Sequence, residues 1–352
     1  MEKLKMAVVG VGGIAQCHIA GYKNNPLTEL YAFCDINEER LRSQGKLHGV
    51  ERLYTDVNDM LAALPEIDAV SVCTWNVAHA PVSIACLKAG KNVLCEKPMA
   101  MTVAEAEAMK KAADESGKLL MIGFVRRFGK DMDAILNFRE DGFFGDIYYA
   151  KADYLRRNGN PGGWFCDLKR AGGGPMIDLG VHIIDFARYV MGNPKPVSIY
   201  AATFKKLDRE SLRTAASYTS YGRESKEIND VEDAATALVR FENGAVLNTE
   251  TSYALNLPED RTEIALYGTK GGVTLKDDLK FYSTGAGYMT DVTLKYDISL
   301  PFEKLFQREI DHYVACLAEG IECRSPAEDG VEIMKILRGA YESAATGHEV
   351  LL

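Results

Sequence analysis

The sequence predicts an α/β protein in two parts, and three observations carry that expectation. Short apolar runs alternate with helix-like segments through the first third, a glycine-rich turn interrupts the first strand-to-helix passage, and a series of strand-like runs fills the second half. Alternating strands and helices build a parallel sheet covered by helices on both faces. With 352 residues, 47% of them hydrophobic, the chain is long enough for two domains with separate cores.

The first apolar run, Met6-Ala7-Val8-Val9, ends in Gly10-Val11-Gly12-Gly13-Ile14-Ala15, and a helix-like stretch from Gln16 to Tyr22 follows. This is the Gly-x-Gly-x-x-Gly/Ala fingerprint in the strand-turn-helix setting that gives it meaning. Gly10 allows the tight turn, Gly12 lets a pyrophosphate approach the backbone, and Ala15 keeps the helix close to the sheet, so residues 10 and 12–15 are expected to bind a dinucleotide. The next strand, Leu30 to Cys34, delivers Asp35 twenty positions beyond Ala15. A carboxylate there accepts from ribose hydroxyls and repels a 2'-phosphate, which favours NAD over NADP. The competing role for Asp35 is a cap on the helix starting near Glu38.

Helix over 56–64, strand over 69–73, helix over 80–88 and strand over 92–95 continue the pattern. Thr102-Val103-Ala104-Glu105 opens another helix as a capping box, and Leu119 to Gly123 is the last strand. Ligands gather at the carboxyl ends of such strands. Two segments lie there, Thr74-Trp75-Asn76-Val77-Ala78-His79 and Glu96-Lys97-Pro98. Lys97, between a carboxylate and a proline, can present its ammonium to a substrate; its other reading is a surface lysine after a strand.

In the second part a helix is expected over 124–142, then an alternating strand over 147–155. The strand delivers Arg156-Arg157-Asn158-Gly159-Asn160-Pro161-Gly162-Gly163-Trp164-Phe165. Arg156, Asn158 and Trp164 can hydrogen-bond hydroxyls and stack on a sugar face, with Arg127 as a further substrate contact; the plain reading is a surface loop. Then comes Gly172-Gly173-Gly174-Pro175-Met176-Ile177-Asp178-Leu179-Gly180-Val181-His182-Ile183-Ile184-Asp185. Three glycines stop what precedes them, and a helix to about Met191 puts residues 178, 182 and 185 on one face. Ionisable groups on an apolar helix either form a costly structural network or line a site. Strands are expected at 197–204, 234–241, 245–253, 261–267, 271–276 and 279–283, with 208–230 as a polar excursion of the sheet able to cover the site or a neighbouring subunit. Helices over 301–319 and 326–346 close the chain.

The formal charge of -9 without a basic block argues against nucleic acid and against an anionic membrane surface. No apolar run reaches the length of a membrane span, and the N-terminus lacks a signal-peptide core. The eight cysteines show no knuckle or redox spacing, which reads as buried thiols in a reducing cytoplasm. A metal held by Asp178, His182 and Asp185 is disfavoured, because one helix without a distant partner makes a poor site.

Gly10-x-Gly12-x-x-Ala15, Thr74-x-Asn76-x-x-His79, Glu96-Lys97-Pro98 and the Gly172-to-Asp185 block together resemble the glucose-fructose oxidoreductase, inositol dehydrogenase and rhizopine-catabolism family, called Gfo/Idh/MocA, in the right order along the whole chain. The resemblance implies an N-terminal Rossmann domain, here 1–123, and a C-terminal α/β domain with a large, mostly antiparallel open sheet, here 124–352. It implies oxidation or reduction of a ring carbon of a sugar or cyclitol with NAD(P), and a homodimer or homotetramer formed through that sheet. It gives Lys97 contact with the reacting oxygen, gives Asp178 and His182 substrate binding and proton relay, and sets Glu96, Asn76 and His79 near the cofactor with Thr74 and Trp75. Trp75 departs from the proline of many relatives, and Val125 from the polar residue common before the paired arginines; both bear on which substrate fits.

The expected activity is a dehydrogenase in which His182 takes the hydroxyl proton, Asp178 orients the ring or binds an adjacent hydroxyl, and Lys97 stabilises the developing alkoxide. The rivals are a glycosidase that uses held NAD for transient ring oxidation and elimination, and a non-catalytic nucleotide-binding regulator. Asp185 has no assigned role beyond fixing its helix.

Overall fold

The computed structural model describes residues 2–207 and 228–352. The excursion expected over 208–230 therefore lies almost wholly outside the described residues. The chain divides into two compact units, Met1–Phe128 with Leu300–Met334, and Gly129–Ser299 with Lys335–Leu352.

In the first unit the order is β1 (Leu4–Val9), α1 (Ala15–Asn24), β2 (Thr28–Cys34), α2 (Glu38–His48), β3 (Leu53–Tyr54), α3 (Val57–Ala63), β4 (Ala69–Val72), α4 (Asn76–Lys88), β5 (Asn92–Glu96), α5 (Val103–Ser116) and β6 (Leu120–Gly123). The six strands form one parallel sheet in the order β3-β2-β1-β4-β5-β6. Strand order reverses between β1 and β4, which in such sheets is where ligands bind. The strands are mostly apolar and buried, as expected where helices cover both faces of a parallel sheet. Thr102 with Glu105 forms the expected capping box of α5, and Asn37 caps α2, whereas α4 starts at Asn76, ahead of the helix expected over 80–88.

After a single 3₁₀ turn over Val125–Phe128, the second unit holds α6 (Lys130–Glu140), β7 (Ile147–Leu155), α7 (Leu168–Ala171), α8 (Val181–Val190), β8 (Pro196–Phe204), β9 (Ala234–Phe241), β10 (Val246–Ser252), β11 (Arg261–Gly268), β12 (Gly271–Leu275), β13 (Leu279–Gly285) and β14 (Tyr288–Val292). Then α9 (Phe302–Glu319), α10 (Ala327–Thr346) and β15 (Val350–Leu351) complete the chain. The nine-stranded sheet runs β14-β13-β12-β11-β7-β10-β9-β8-β15. It is antiparallel except between β7 and β10. Buried Val181, Ile184, Phe186 and Val190 of α8 supply a core for this unit, and Ala150, Ala152, Leu247 and Leu266 are among the buried residues of its central strands.

Three expectations are corrected. Residues 124–142 do not form one helix, because Gly129 takes an extended conformation before α6 starts. The helix expected from Gly174 is split into a wide π turn, Met176–Gly180, and α8. The second domain does not take all of 124–352: Leu300–Met334 belongs with the first unit. The reason is packing, since Phe306, Ile310, Tyr313 and Val314 of α9 are buried, and at Gly21 of α1 a Cβ would stand 2.7 Å from the Ile310 side chain. Strands β3, β14 and β15 were not expected. Among the described residues no helix is long and apolar enough to cross a membrane.

Candidate active site

The glycine turn is shaped by its neighbours in the first unit. Gly10 has φ +83°, donates its N–H to the Cys34 carbonyl at 2.7 Å, and a Cβ there would lie 2.7 Å from the Cys73 carbonyl oxygen. The ends of β1 and β4 thus converge too closely for any side chain. Gly12 is different, since a Cβ on it would touch nothing within 4 Å. No packing contact requires glycine there, and the open space leaves the backbone approachable. Gly13 and Ile14 lead into α1, whose first turn carries no acidic group, and Ala15 is buried under it. Such a helix start favours an anion.

Asp35 braces this turn. Its Oδ2 accepts from the Val11 N–H at 2.9 Å, its Oδ1 from the Asn37 N–H at 2.8 Å, and Arg40 approaches to 3.6 Å. It does not cap α2, because Asn37 does. An approachable turn at a helix start, closed by a buried carboxylate at the end of β2, fits a dinucleotide.

After β4, the Thr74 hydroxyl donates to the Trp75 carbonyl at 3.2 Å, half-buried Trp75 precedes α4, and Asn76 is buried in its first turn. His79 is nearly inaccessible, with Nδ1 2.7 Å from the Pro98 carbonyl and Nε2 3.1 Å from the Thr74 carbonyl. Burial lowers its pKa against the pull of those carbonyls. Both ring nitrogens are engaged by backbone, so His79 braces the loops after β4 and β5.

Glu96 ends β5 with its side chain buried, one oxygen 2.9 Å from His18 Nε2 and the other accepting from the Lys97 N–H at 3.2 Å. His18 Nδ1 lies 3.0 Å from Ser71 Oγ, which lies 2.6 Å from the Tyr22 hydroxyl. Burial raises the Glu96 pKa, but the His18 hydrogen bond and nearby positive groups outweigh it and hold the carboxyl below its ordinary range. Glu309 of α9 brings a second carboxyl, its oxygen within 4.8 Å of the Glu96 and His18 ligand atoms. It is fully buried, neither oxygen has a hydrogen-bond partner among the described residues, and burial followed by the charge of Glu96 raises its pKa well above normal. Lys97 itself is half-buried beside this network.

Arg127 requires correction. It is fully buried, donates to the Arg324 carbonyl at 2.6 Å and to Asp329 at 2.7 Å, and lies over the Phe124 ring. These contacts make it a structural link from the turn after β6 to the start of α10, not a substrate contact.

In the second unit each glycine of the triplet has its own cause. Gly172 has φ +82° and ends α7, a Cβ on Gly173 would stand 2.0 Å from the Tyr341 hydroxyl, and one on Gly174 would stand 2.7 Å from the Glu232 carbonyl oxygen. Glu232 latches the segment, accepting from the Gly174 N–H at 3.0 Å, the Met176 N–H at 3.2 Å and the Tyr341 hydroxyl at 2.7 Å. Asp178 lies half-buried in the π turn, its Oδ2 accepting from the Tyr253 hydroxyl at 3.0 Å. Burial, then Asp178, keeps the Tyr253 phenol protonated far above its ordinary range. Arg156 is buried, donates to the Gly159 carbonyl at 3.1 Å and lies over the Tyr154 ring; burial opposes its charge, but Tyr154 and Asp178 more than restore it. Half-buried Asn158 bridges to Ala254, and Trp164 stacks on Phe165 at 4.1 Å. His182 is half-buried one turn beyond Asp178, whereas Asp185 is wholly buried.

Residues 4–124 match the oxidoreductase family with an NAD-binding Rossmann fold, and residues 134–274 match the GFO/IDH/MocA C-terminal domain. The chain belongs to the Gfo/Idh/MocA family. It is 32% identical to D-glucoside 3-dehydrogenase of Escherichia coli over 99% of this chain and 97% of that protein. It is 30% identical to myo-inositol 2-dehydrogenase of Thermotoga maritima over 77% of this chain and 74% of that one. An aldose-aldose oxidoreductase from Caulobacter crescentus, solved with glycerol, superposes with a TM-score of 0.80 at 27% identity over 100% of both chains. As a Gfo/Idh/MocA protein the chain is an NAD-binding oxidoreductase. Tyr253, Glu232, His18 and Glu309 escaped the sequence reading of this Gfo/Idh/MocA chain. Tyr253, His18 and Glu309 are ordinary in their own stretches and Glu232 is one of several acids in Asn229-Asp230-Val231-Glu232-Asp233, so only the spatial neighbour distinguishes each.

Proposed function

We propose that this protein is a dehydrogenase that oxidises a ring secondary hydroxyl of a sugar, glycoside or cyclitol, with NAD in preference to NADP. The observation that carries the reading is Asp178, a half-buried carboxylate fixed by the Tyr253 hydroxyl with His182 one turn beyond it. A carboxylate held in that way recognises vicinal hydroxyls, and relatives named for glucosides and inositols support a ring alcohol. Bound NAD supplies the hydride acceptor; residues 10–15 and Asp35 hold it. The negative charge of Asp35 disfavours a 2'-phosphate.

His182 takes the hydroxyl proton, being the better base near neutral pH. Asp178 binds the adjacent hydroxyl, and the Arg156 and Trp164 loop shapes the pocket for the ring. Lys97 stabilises the charge that develops on the reacting oxygen. The first unit takes the cofactor role; the second takes the substrate and, through exposed Tyr200, Leu238, Tyr267 and Tyr282 of its large sheet, the assembly into a homo-oligomer. A reducing cytoplasm suits eight cysteines, none of them in a disulfide.

A panel of glucosides, inositols and aldoses assayed for NADH formation tests the reading. Stoichiometric NADH with one class is expected; product release without accumulating NADH points to the glycosidase, and no turnover on any member removes the dehydrogenase. Lys97→Met, Asp178→Asn and His182→Ala are each expected to lower kcat/KM by about 10²–10⁴ while NADH still binds. A variant with near wild-type turnover loses its assigned role.

A further inference from the structure

The sequence spacing of Cys316 and Cys323 gave no reason to connect them, yet the fold brings both to one imidazole. His312 and Cys316 lie four residues apart on one face of α9, with Cys316 Sγ 3.5 Å from His312 Nε2. Gly320, at φ +70°, ends the helix and turns the chain back so that Cys323 joins them. One donor atom from each of the three residues lies within 4.8 Å of the others. All belong to the first unit, and all three are half-buried, so an ion can reach them.

We propose that His312, Cys316 and Cys323 form a binding site for a zinc-class divalent cation, with a fourth position open to water. Two thiolates and a neutral imidazole balance a dication, and sulfur with imidazole is the donor set that selects zinc over magnesium or calcium. Binding displaces the two thiol protons to solvent, and no redox change is involved. The Arg324 N–H, which donates to His312 Nε2 at 2.9 Å, exchanges that acceptor for a thiolate. The surroundings are rigid enough to hold such a site: the Phe128 ring packs 5.3 Å from the imidazole, and Ser325 is fully buried with its hydroxyl donating to the Ile122 carbonyl. The ion ties the end of α9 to the segment that opens α10. The second such cluster among the described residues, His18 with Glu96 and Glu309, is buried away from solvent.

The test uses the full-length chain, freed of any histidine tag and kept under a non-thiol reductant. Zinc is measured by elemental analysis and by titration against a chromophoric chelator, and cobalt(II) is added to the metal-free protein. About one zinc per chain and a cobalt spectrum with sulfur-to-metal charge transfer and tetrahedral ligand-field bands are expected. Cys316→Ser and Cys323→Ser should each weaken zinc at least about 100-fold, since each removes one of three donors; Cys17→Ser should leave it unchanged. In the wild type, zinc should also protect Cys316 and Cys323 from alkylation but not Cys17, a readout that needs no variant to fold. Substoichiometric zinc, a cobalt spectrum without sulfur ligation, binding that survives both serine variants, or alkylation indifferent to zinc each overturns the proposal.

Discussion

Replacing Glu309 by glutamine should make the first unit more stable above about pH 5 and flatten the dependence of its stability on pH. Glu309 is fully buried with both oxygens lacking hydrogen-bond partners among the described residues, and the titratable groups near it are His18, Glu96, Cys323, Cys17, Tyr22 and Cys73. Only one of two carboxyls so close can ionise readily, and the His18 bond gives that charge to Glu96. Glu309 therefore keeps its proton in the folded chain and loses it in the unfolded chain above its ordinary value of 4.5. The folded state then binds one proton more than the unfolded state, so stability is greatest below that value and falls as pH rises towards the raised folded pKa. One proton corresponds to about 1.4 kcal/mol per pH unit, or about 2.7 kcal/mol between pH 5.5 and 7.5. Glutamine keeps the size and removes the titration, so wild type and variant should agree near pH 5 and diverge above it. The two tryptophans provide the assay, because Trp75 lies in the first unit and Trp164 in the second. In a Trp164→Phe background, urea unfolding followed by Trp75 fluorescence reports the first unit alone. Parallel stability curves from pH 5.5 to 7.5 for that background with and without Glu309→Gln would refute the reasoning.

Two glycines should behave in opposite ways. Gly173→Ala meets the Tyr341 hydroxyl at 2.0 Å and should destabilise the second unit by about 1–3 kcal/mol in urea unfolding followed by Trp164, whereas Gly12→Ala meets nothing, should leave stability unchanged and should weaken NADH at least about 10-fold. Tyr253→Phe removes a neutral donor to a carboxylate, a bond worth about 1.5–3 kcal/mol, so kcat/KM should fall about 10- to 100-fold at unchanged NADH affinity; equal kinetics would deny Asp178 its function. Asp35→Ser removes the acceptor of the Val11 N–H together with the charge facing the ribose, so NADH titrations should show weaker NADH binding and a relative gain of NADPH of about 10-fold or more.

Much of the first unit was legible because its signals are local. The Gly10 turn, the Thr102 helix start and the mostly apolar parallel strands each follow from a few neighbouring residues. The return of α9 to α1 was not legible, because it depends on Gly21 and Ile310, which lie nearly three hundred residues apart and are ordinary in their own helices. Arg127 shows the same limit from the other side. A basic pair after a strand reads as a ligand contact, and only Asp329, two hundred residues later, reveals it as a buried link. In the Gly172-to-Asp185 block the sequence located the polar stripe but not the π turn, since that turn is set by Glu232 gripping the Gly174 and Met176 amides.

Glu232 is one of several buried carboxylates used in one way. Asp35 accepts from the Val11 amide, Glu96 from Lys97, Glu232 from Gly174 and Met176, and Asp233 from Lys206 and Leu207. Asp35, Glu96 and Glu232 each fix a stretch of backbone beside a residue proposed to bind or react, and charge-assisted bonds to amides offset the cost of burying the charge. At the first turn the clamp comes from Asp35, so Gly12 stays open with nothing packed over it. Glu309 breaks the pattern, since among the described residues it accepts from no amide and no imidazole. A carboxyl in that position is tolerable only while it keeps its proton, and its ionisation would set a second negative charge beside Glu96, the carboxylate that holds the Lys97 amide.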